Sequence, residues 1–236
     1  MARLTRQELK KDEFAERLAT IQEFFLHYQK QIVKFGGLAA LLVAVAIGGL
    51  FLFRNRQNNA SSAFAQALVN FHAPVMQSAP PETTQIYFKS DAEKYQQALK
   101  LFSDVASRYS WIGQGRYARY YVGLCQRALG NTADAEKELK AVAEGRDTDL
   151  AALGKLALGG LYEQTGRTDQ AEKIYRDLES HPTVTVPKAT IELALADLYQ
   201  KTKPTEARAL YQQIQKDYPG LAAGDAASKM LDDMAK

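Results

Sequence analysis

Cysteine, histidine and reactive motifs are scarce in this 236-residue sequence. The single cysteine, Cys125, excludes a disulfide within the chain, and the histidines, His27, His72 and His181, lie too far apart to form a metal-ligand pair. The sequence also lacks a glycine-rich phosphate loop, a Gly-x-Ser-x-Gly nucleophile motif and a dinucleotide-binding fingerprint. We therefore predict a protein that is not an enzyme and that holds no cofactor and no metal.

A strong excess of one charge is missing as well. The formal net charge is +3, from 30 Lys and Arg residues against 27 Asp and Glu residues. Domains that bind nucleic acid are usually much more basic, so we expect no nucleic-acid partner. Hydrophobic residues make up 46% of the chain and charged residues 24%, which are ordinary values for a globular protein.

One segment stands apart, because residues 35–53 (FGGLAALLVAVAIGGLFLF) contain no charged residue and no side-chain amide over 19 positions. As a helix this segment would extend about 28 Å, close to the thickness of the hydrocarbon core of a bilayer. Lys34 on one side, and Arg54 and Arg56 on the other, are placed to reach lipid headgroups. A buried core helix is the alternative, which apolar residues on every helical face disfavour. We predict a single transmembrane helix.

The flanking charges predict an uncleaved anchor and its orientation. The apolar run starts after 34 residues, which is long for the charged region of a signal peptide, and an Ala-x-Ala site appears only after Arg54 and Arg56. Seven Lys and Arg residues precede the span, whereas only these two arginines lie between it and Lys89. The positive-inside rule then keeps the N-terminus cytoplasmic and places residues 54–236 outside the cytoplasm.

Residues 1–34 are predicted to form a short, cytoplasmic, amphipathic helix. A capping box, Thr5 to Glu8, marks its start. Apolar residues then recur alternately four and three positions apart, which is a short heptad seam. Such a seam either pairs two protomers or lies along the membrane surface or a partner, and both interpretations stay open. The seam residues are Phe14, Leu18, Ile21, Phe25, Tyr28, Ile32 and Phe35.

Small residues recur at every fourth position of the predicted transmembrane helix, namely Gly36, Ala40, Ala44 and Gly48. This face would let another membrane helix approach closely. Glycine and alanine are also common in membrane helices that do not pair, so composition alone is the favoured explanation of the pattern.

The segment that follows the span reads as a helix and then a break. Ser61 to Phe71 has helical apolar spacing, and residues 73–90 hold three prolines in a polar stretch, which predicts a loop. Whether the helix at Ser61–Phe71 completes a first structural repeat stays open at this point.

From Asp91 onward the sequence repeats with a period of 36 residues. Two glycines seven positions apart, Gly123 and Gly130, recur as Gly159 and Gly166. We therefore predict units of two helices, with the second glycine of each pair ending the first helix in a left-handed conformation. The positions in register on the second helices are Ala135, Ala171 and Ala207, then Leu139, Tyr175 and Tyr211, then Val142, Leu178 and Ile214; Ala98, Phe102 and Val105 lie in the same relation 37 residues upstream.

This pattern resembles the tetratricopeptide repeat (TPR), which has a small residue in its first helix, glycine at the turn, alanine early in its second helix and an aromatic residue four positions later. The resemblance covers residues 60–219. One unit departs from the pattern with Gln126 and Leu139 at its aromatic positions, and the last unit lacks the turn glycine. The matching positions are Gly123, Gly130 and Ala135 in one unit, Gly159, Tyr162, Gly166, Ala171, Tyr175 and, nearly, Pro182 in the next, and Tyr199, Ala207, Tyr211 and Pro219 in the last.

The resemblance implies an all-α fold, a right-handed solenoid of helical hairpins that follows the transmembrane helix, with residues 220–236 as a capping helix. Stacked hairpins of this family present a groove lined by their first helices, and that groove binds other proteins. The groove residues that it implies are Tyr117, Tyr120, Leu124 and Arg127, then Leu153, Leu156, Glu163 and Gln164, then Thr190, Asp197 and Lys201.

The order of segments is similar to that of bacterial YfgM-type proteins, which are membrane-anchored TPR proteins associated with the Sec translocon and periplasmic chaperones. The stretch FLFRNRQNNASSAFAQAL, in which a span passes through a basic, Asn-rich collar into an Ala-rich helix, carries this resemblance. It implies a non-catalytic scaffold, anchored once in the inner membrane, whose periplasmic repeats bind translocon or chaperone components.

A self-assembling membrane protein is the alternative hypothesis, in which the heptad seam and the small-residue face drive homo-oligomerisation. Outer-membrane assembly lipoproteins with similar repeats are a poorer match. They need a lipidated cysteine after a short signal peptide, and the one cysteine of this chain is Cys125.

Overall fold

The computed structural model describes residues 6–77 and 85–235, except the side chains of residues 6–26, 29 and 31–33. In these ranges the chain forms nine α-helices and a single isolated bridge, between Val75 and Phe88, with no longer strand. The prediction of an all-helical chain is confirmed. The chain divides between Gln57 and Asn58 into two compact units.

The first unit consists of the larger part of α1, which spans Arg6–Phe71. Thr5 of the predicted capping box lies outside the described residues. So do the side chains of Phe14, Leu18, Ile21, Phe25 and Ile32 of the predicted seam.

The large apolar side chains of residues 35–53 are all exposed, with exposed fractions between 45% and 70%. The helical stretch Lys34–Phe71 contains a window with a mean hydropathy of 2.4, none of which is buried. Its length and composition are compatible with a transmembrane helix, and within the described residues it lacks the burial that a core helix would have.

The second unit contains the end of α1 and eight further helices. They are α2 Asp91–Arg108, α3 Gly113–Ala128, α4 Thr132–Ala143, α5 Thr148–Gln164, α6 Thr168–Ser180, α7 Lys188–Thr202, α8 Pro204–Asp217 and α9 Ala222–Met234. Each helix from α2 onward packs against the next one, and α3 also contacts α5, as α7 contacts α9. This is the nearest-neighbour packing of a helical repeat array.

The turns between paired helices have the predicted glycine geometry in two hairpins and a different geometry in the third. Gly130 and Gly166 have φ angles of 79° and 73°, so the predicted left-handed turns are confirmed. The α7–α8 turn uses another device. There Lys203 has a φ of −141° and a ψ of 64°, and Pro204 is the first residue of α8, where its missing N–H costs no helical hydrogen bond.

The two helices of a hairpin approach closely at the first glycine of each pair. A Cβ added to Gly123 would lie 2.7 Å from Leu139 Cδ2. A Cβ added to Gly159, 36 residues later, would lie 2.9 Å from Tyr175 Cζ and closer still to Tyr175 Cε1. Glycine at these positions therefore makes the room that the large side chain of the second helix occupies.

The in-register apolar residues form the core. Those of α4, α6 and α8 are all buried, and all except Val142 lie in one cluster that extends from α4 to α9. Ala98, Phe102 and Val105 of α2 lie in a neighbouring cluster with residues of α1 and α3.

The segment Ser61–Phe71 supplies the helix that packs against α2. The Phe64 and Phe102 rings lie 5.6 Å apart, and the Phe71 ring lies 5.6 Å from that of Tyr95 and 5.2 Å from that of Tyr121. This end of α1 thus has the place of a first helix in the first hairpin.

The Pro-rich connection after α1 is closed by backbone hydrogen bonds at its base. Met76 N donates to Phe88 O at 2.9 Å, and Phe88 N donates to Pro74 O at 3.1 Å. Residues 78–84 of the predicted loop 73–90 lie outside the described residues.

At two places a glutamate on the second helix of one hairpin contacts residues of the next hairpin. We call these contacts the carboxylate bridges. In the first bridge, Tyr162 donates to Glu136 Oε1 at 3.0 Å and Arg167 Nη1 lies 2.7 Å from Glu136 Oε2. Lys140, one turn along the same helix as Glu136, pairs with Oε1 at 2.7 Å. A residue of α4 is thereby joined to α5 and to the turn after it.

The second bridge repeats the acid, the tyrosine and the turn cation one period later. Glu172 accepts a hydrogen bond from Tyr199 and pairs with Lys203 at 3.2 Å. Arg176 Nη2 donates to the Tyr199 hydroxyl at 3.1 Å. The acid and both cations lie 36 residues after Glu136, Lys140 and Arg167, and the tyrosine lies 37 residues after Tyr162.

Helix α9 ends the array in the region predicted as a capping helix. Its Ala227 is fully buried against the preceding helices. Arg208 Nη2 donates to Met234 O at 2.9 Å, and Gln215 donates to Ser228 Oγ at 2.9 Å. These contacts close the last apolar face of α8.

Gly159→Ala tests the close approach of the paired helices. Overpacking of a core costs about 1–3 kcal/mol, and a helical Gly→Ala change returns up to about 1 kcal/mol. We expect the net free energy of unfolding to fall by about 1–2 kcal/mol, measured by urea denaturation of the detergent-solubilised chain with circular dichroism. Gly113→Ala, at a helical position with nothing within 4 Å, is the control and should not destabilise. Equal effects of the two changes would contradict the close-approach model.

Glu136→Gln tests the first carboxylate bridge through pH. Hydrogen bonds from Lys140, then from Arg167 and Tyr162, hold the pKa of Glu136 at about 2. A lowered pKa stabilises the fold above the unfolded value of about 4.3, and this stability is lost as the pH falls towards 2.

We therefore expect Glu136→Gln to lower the unfolding midpoint at pH 7, and the difference from the unmodified chain to close as the pH approaches 2. Glu206→Gln, an exposed carboxylate on α8, is the control. A midpoint difference for Glu136→Gln that does not change with pH would show that the bridge does not act through charge.

Candidate protein-binding surface

The candidate surface lies on α3, α5 and α7, the first helices of three successive hairpins. Tyr120 and Leu124 of α3 and Leu153 and Leu156 of α5 are half-buried and pack against the main core cluster. The core residues that they contact hold these apolar side chains in place, while part of each side chain remains exposed to solvent. Such side chains can contact a partner without a large loss of conformational freedom.

Three charged residues of the same three helices act electrostatically on a fourth, Glu163. We call them the charged cluster, which consists of Arg127 of α3, Glu163 of α5, and Asp197 and Lys201 of α7. The charges of Asp197, Lys201 and Arg127 all act on Glu163. Charges on three first helices therefore influence one carboxylate, that of Glu163.

Gly160 leaves room for the guanidinium group of Arg127. Arg127 Nη1 donates to Ala157 O at 3.3 Å, and a Cβ added to Gly160 would lie 2.9 Å from the same nitrogen. The guanidinium thus lies directly on the backbone of α5, which fixes it at the junction of two hairpins.

The two acids of the cluster have different surroundings. Asp197 Oδ1 accepts a hydrogen bond of 2.6 Å from the Tyr211 hydroxyl. Glu163 is half-buried and has no hydrogen bond or ion pair with any residue in the described ranges. Burial raises the pKa of Glu163, and the charge of Asp197 raises it further, while Lys201 and Arg127 lower it.

The remaining predicted groove residues lie on the same helices but outside the charged cluster. Tyr117 is near the start of α3, Gln164 is the last residue of α5, and Thr190 is near the start of α7. In the part of the chain that the structure describes, no hydrogen bond or ion pair ties these three side chains to the cluster. Their role in binding stays a prediction.

Cys125 is a core residue. It is fully buried in the cluster of α1, α2 and α3, and burial raises the pKa of its thiol to about 12. A thiol that stays protonated at neutral pH is a poor nucleophile. Among the described residues, no group of three His, Cys, Asp or Glu side chains is placed to hold a metal ion.

The small-residue face of α1 has no partner within the described residues. A Cβ added to Gly36 or Gly48 would have nothing within 4 Å, and Ala40 and Ala44 are exposed. Whether this face packs against another helix stays a prediction.

Sequence reasoning missed the two carboxylate bridges. The signal was present, because Glu136 and Glu172 lie 36 residues apart, as do Arg167 and Lys203. The apolar register identifies buried positions and not the polar residues beside them. The spacing of 37 residues between Tyr162 and Tyr199 also departs from the period of 36.

A family model described as tetratricopeptide repeat matches residues 117–144 and 192–220. These segments correspond to the α3–α4 hairpin and to most of the α7–α8 hairpin. Tetratricopeptide repeats are therefore detected at these two hairpins, and the hairpin α5–α6 between them shares their register. No curated protein and no solved structure matches the sequence.

Glu163→Gln tests whether burial of the Glu163 carboxylate lowers the stability of the fold. Because burial raises the pKa of this carboxyl, protonation favours the folded state, and stability is lost as the pH rises through the raised pKa. We expect Glu163→Gln to raise the unfolding midpoint at pH 7, with the gain disappearing below a pH of about 4.

Glu144→Gln is the matched control, because Glu144 also lies at the C-terminal end of a helix but is exposed. It reports the interaction of a negative charge with the helix dipole alone. A gain from Glu144→Gln as large as that from Glu163→Gln would show that burial of Glu163 has no part in the effect.

Proposed function

We propose that this protein is a non-catalytic scaffold, anchored once in the bacterial inner membrane, whose tetratricopeptide repeats bind other proteins on the periplasmic side. The observation that carries the proposal is a repeat domain with a partly exposed apolar and charged surface, which follows an unburied apolar helical segment in the same chain. Repeats of this kind generally mediate protein–protein interactions.

Membrane anchoring is supported by the exposure of residues 35–53. Eleven large apolar side chains of this segment are exposed. In water such a surface would associate with other apolar surfaces, whereas in a bilayer it needs no partner. The cations at Lys34, Arg54 and Arg56 bound the apolar run on both sides.

The periplasmic placement is supported by the distribution of cations. Seven Lys and Arg residues precede the span, against Arg54 and Arg56 after it and before Lys89. Retention of the more basic side in the cytoplasm would export the repeats.

The binding surface that we propose is the charged cluster together with the apolar residues beside it. A peptide laid across α3, α5 and α7 would meet Tyr120 and Leu124, then Leu156, and then the charges of Glu163 and Asp197. Half-buried aromatic and arginine side chains of this kind often dominate the energy of protein interfaces.

The partners that we propose are components of the Sec translocon or periplasmic chaperones. The basis is the similarity of the segment order, and of the collar at residues 51–68, to YfgM-type proteins. The extended N-terminal helix of this chain is longer than in the shortest members of that group.

Fusion of alkaline phosphatase to the C-terminus tests the topology. The enzyme is active only outside the cytoplasm, so we expect high phosphatase activity, and low activity from a β-galactosidase fusion at the same point. Deletion of residues 35–53 is the control and should abolish the phosphatase signal. The reverse pattern of the two reporters would reject a periplasmic domain.

Crosslinking in cells followed by purification in detergent tests the binding surface and the partner. We expect translocon or chaperone components to co-purify, and Arg127→Glu with Lys201→Glu to reduce their recovery several-fold. Lys173→Glu with Lys216→Glu, exposed residues of α6 and α8, is the control with the same charge change. Absence of these components from the unmodified sample would reject the partner assignment.

A further inference from the structure

A second surface feature lies away from the charged cluster, at the other end of the same helices. It is a cleft of about 480 Å³ formed by the ends of α2 and α4 and the beginnings of α3 and α5. Arg116 at its edge and Arg127 in the charged cluster are separated by 11 residues of α3, or about 16 Å along the helix. A ligand in this cleft would therefore leave the charged cluster accessible.

The cleft has an apolar floor and a basic edge. Val122, Val142 and Leu150 are buried residues that line it, and three serines of α2 and of the turn after it lie at its side. Its cationic residues are Arg116, Arg119 and Arg146, and we call it the arginine cleft. An apolar side chain fits the floor while an anionic group reaches the edge.

Two of the three guanidinium groups are poorly paired. Arg119 Nε lies 2.6 Å from Glu138 Oε2, which is a full ion pair. Arg116 approaches Asp147 only to 4.0 Å, and both side chains are partly exposed. Arg146 makes no hydrogen bond or ion pair with any residue in the described ranges. Two arginines therefore retain donors for a ligand.

The next cleft along the array serves as an internal comparison. It lies 36 residues later, where Ala151, Ala152, Lys155, His181 and Pro182 line it. Lys155 replaces Arg119 and pairs with Asp177 at 2.5 Å, so one ion pair is kept.

The two poorly paired cations have no counterpart in that second cleft, because Ala152 replaces Arg116 and Pro182 replaces Arg146. Packing between hairpins thus creates the space without requiring these arginines. Their presence in the first cleft needs another explanation.

We propose that the arginine cleft binds an acidic peptide segment of a partner protein, with an apolar side chain on the floor and a carboxylate between Arg116 and Arg146. A guanidinium matches a planar carboxylate with two parallel hydrogen bonds. Three arginines together with Glu138 and Asp147 give the lining of the cleft a net charge of +1, which one carboxylate balances and a dianionic phosphate would exceed. The occupant is therefore a carboxylate ligand.

Fluorescence anisotropy with the full chain in detergent tests the proposal. The probe is a fluorescein-labelled peptide that carries leucine and glutamate in a Gly–Ser frame, and its reference is the same peptide with glutamine in place of glutamate. We expect the glutamate peptide to bind more tightly than the glutamine peptide. Arg116→Gln with Arg146→Gln should weaken its binding at least about tenfold, because it removes the guanidinium donors on both sides of the carboxylate.

Lys173→Gln with Lys216→Gln is the control, since it removes the same two charges at exposed positions of α6 and α8. An equal loss in this variant would show non-specific attraction and overturn the proposal. So would equal binding of the two peptides, or a loss that occurs only with changes at Arg127 and Lys201. Self-association of the chain that Arg116→Gln and Arg146→Gln abolish, without peptide binding, would assign the cleft to a second copy and overturn it as well.

The proposal of a membrane-anchored scaffold is tested by different measurements, namely the reporter fusions and the co-purification. The reporter fusions can show a cytoplasmic domain while the purified chain still binds the acidic peptide. Conversely, translocon components can co-purify through the charged cluster while the arginine cleft binds nothing.

Discussion

The close approach of paired helices is the constraint on which the repeat domain depends. Gly123 and Gly159 leave no side chain between the two helices, and Leu139 and Tyr175 occupy the space. This places the second helix near enough to bury its whole apolar row. The apolar row then supplies the core that α5 and α7 share with their neighbours. Turn geometry, surface clefts and polar bridges are all consequences of hairpins packed at this distance.

Most of the fold could be predicted from the sequence, because a repeated pattern reports the same packing several times. The turns at Gly130 and Gly166 were predictable, since only glycine adopts that backbone conformation readily. The α7–α8 turn was not, because Lys203 and Pro204 reach a similar connection by another route. The exposure of the apolar residues 35–53 is compatible with the transmembrane helix that their composition predicts.

The candidate surface was less accessible to sequence reasoning. Helical register could place Arg127, Glu163 and Asp197 on first helices, but the position of Arg127 depends on Gly160, whose lack of a side chain admits the guanidinium. Charged contacts of this kind are set by side-chain conformations, and these leave no periodic trace. The arginine cleft was missed for the opposite reason. Its positions do follow the period, and only the comparison of Arg116 with Ala152 shows that they differ in chemistry.

The recurrence of the carboxylate bridges has a consequence for how this array can change in length. Each bridge joins adjacent units only, and the donors that face Glu136 are of the same kinds as those that face Glu172. Excision of one whole period between them would leave an acid opposite a tyrosine and a cation once more. The junctions are thus interchangeable, so a gene could gain or lose a unit by unequal recombination without creating an unmatched ionic boundary.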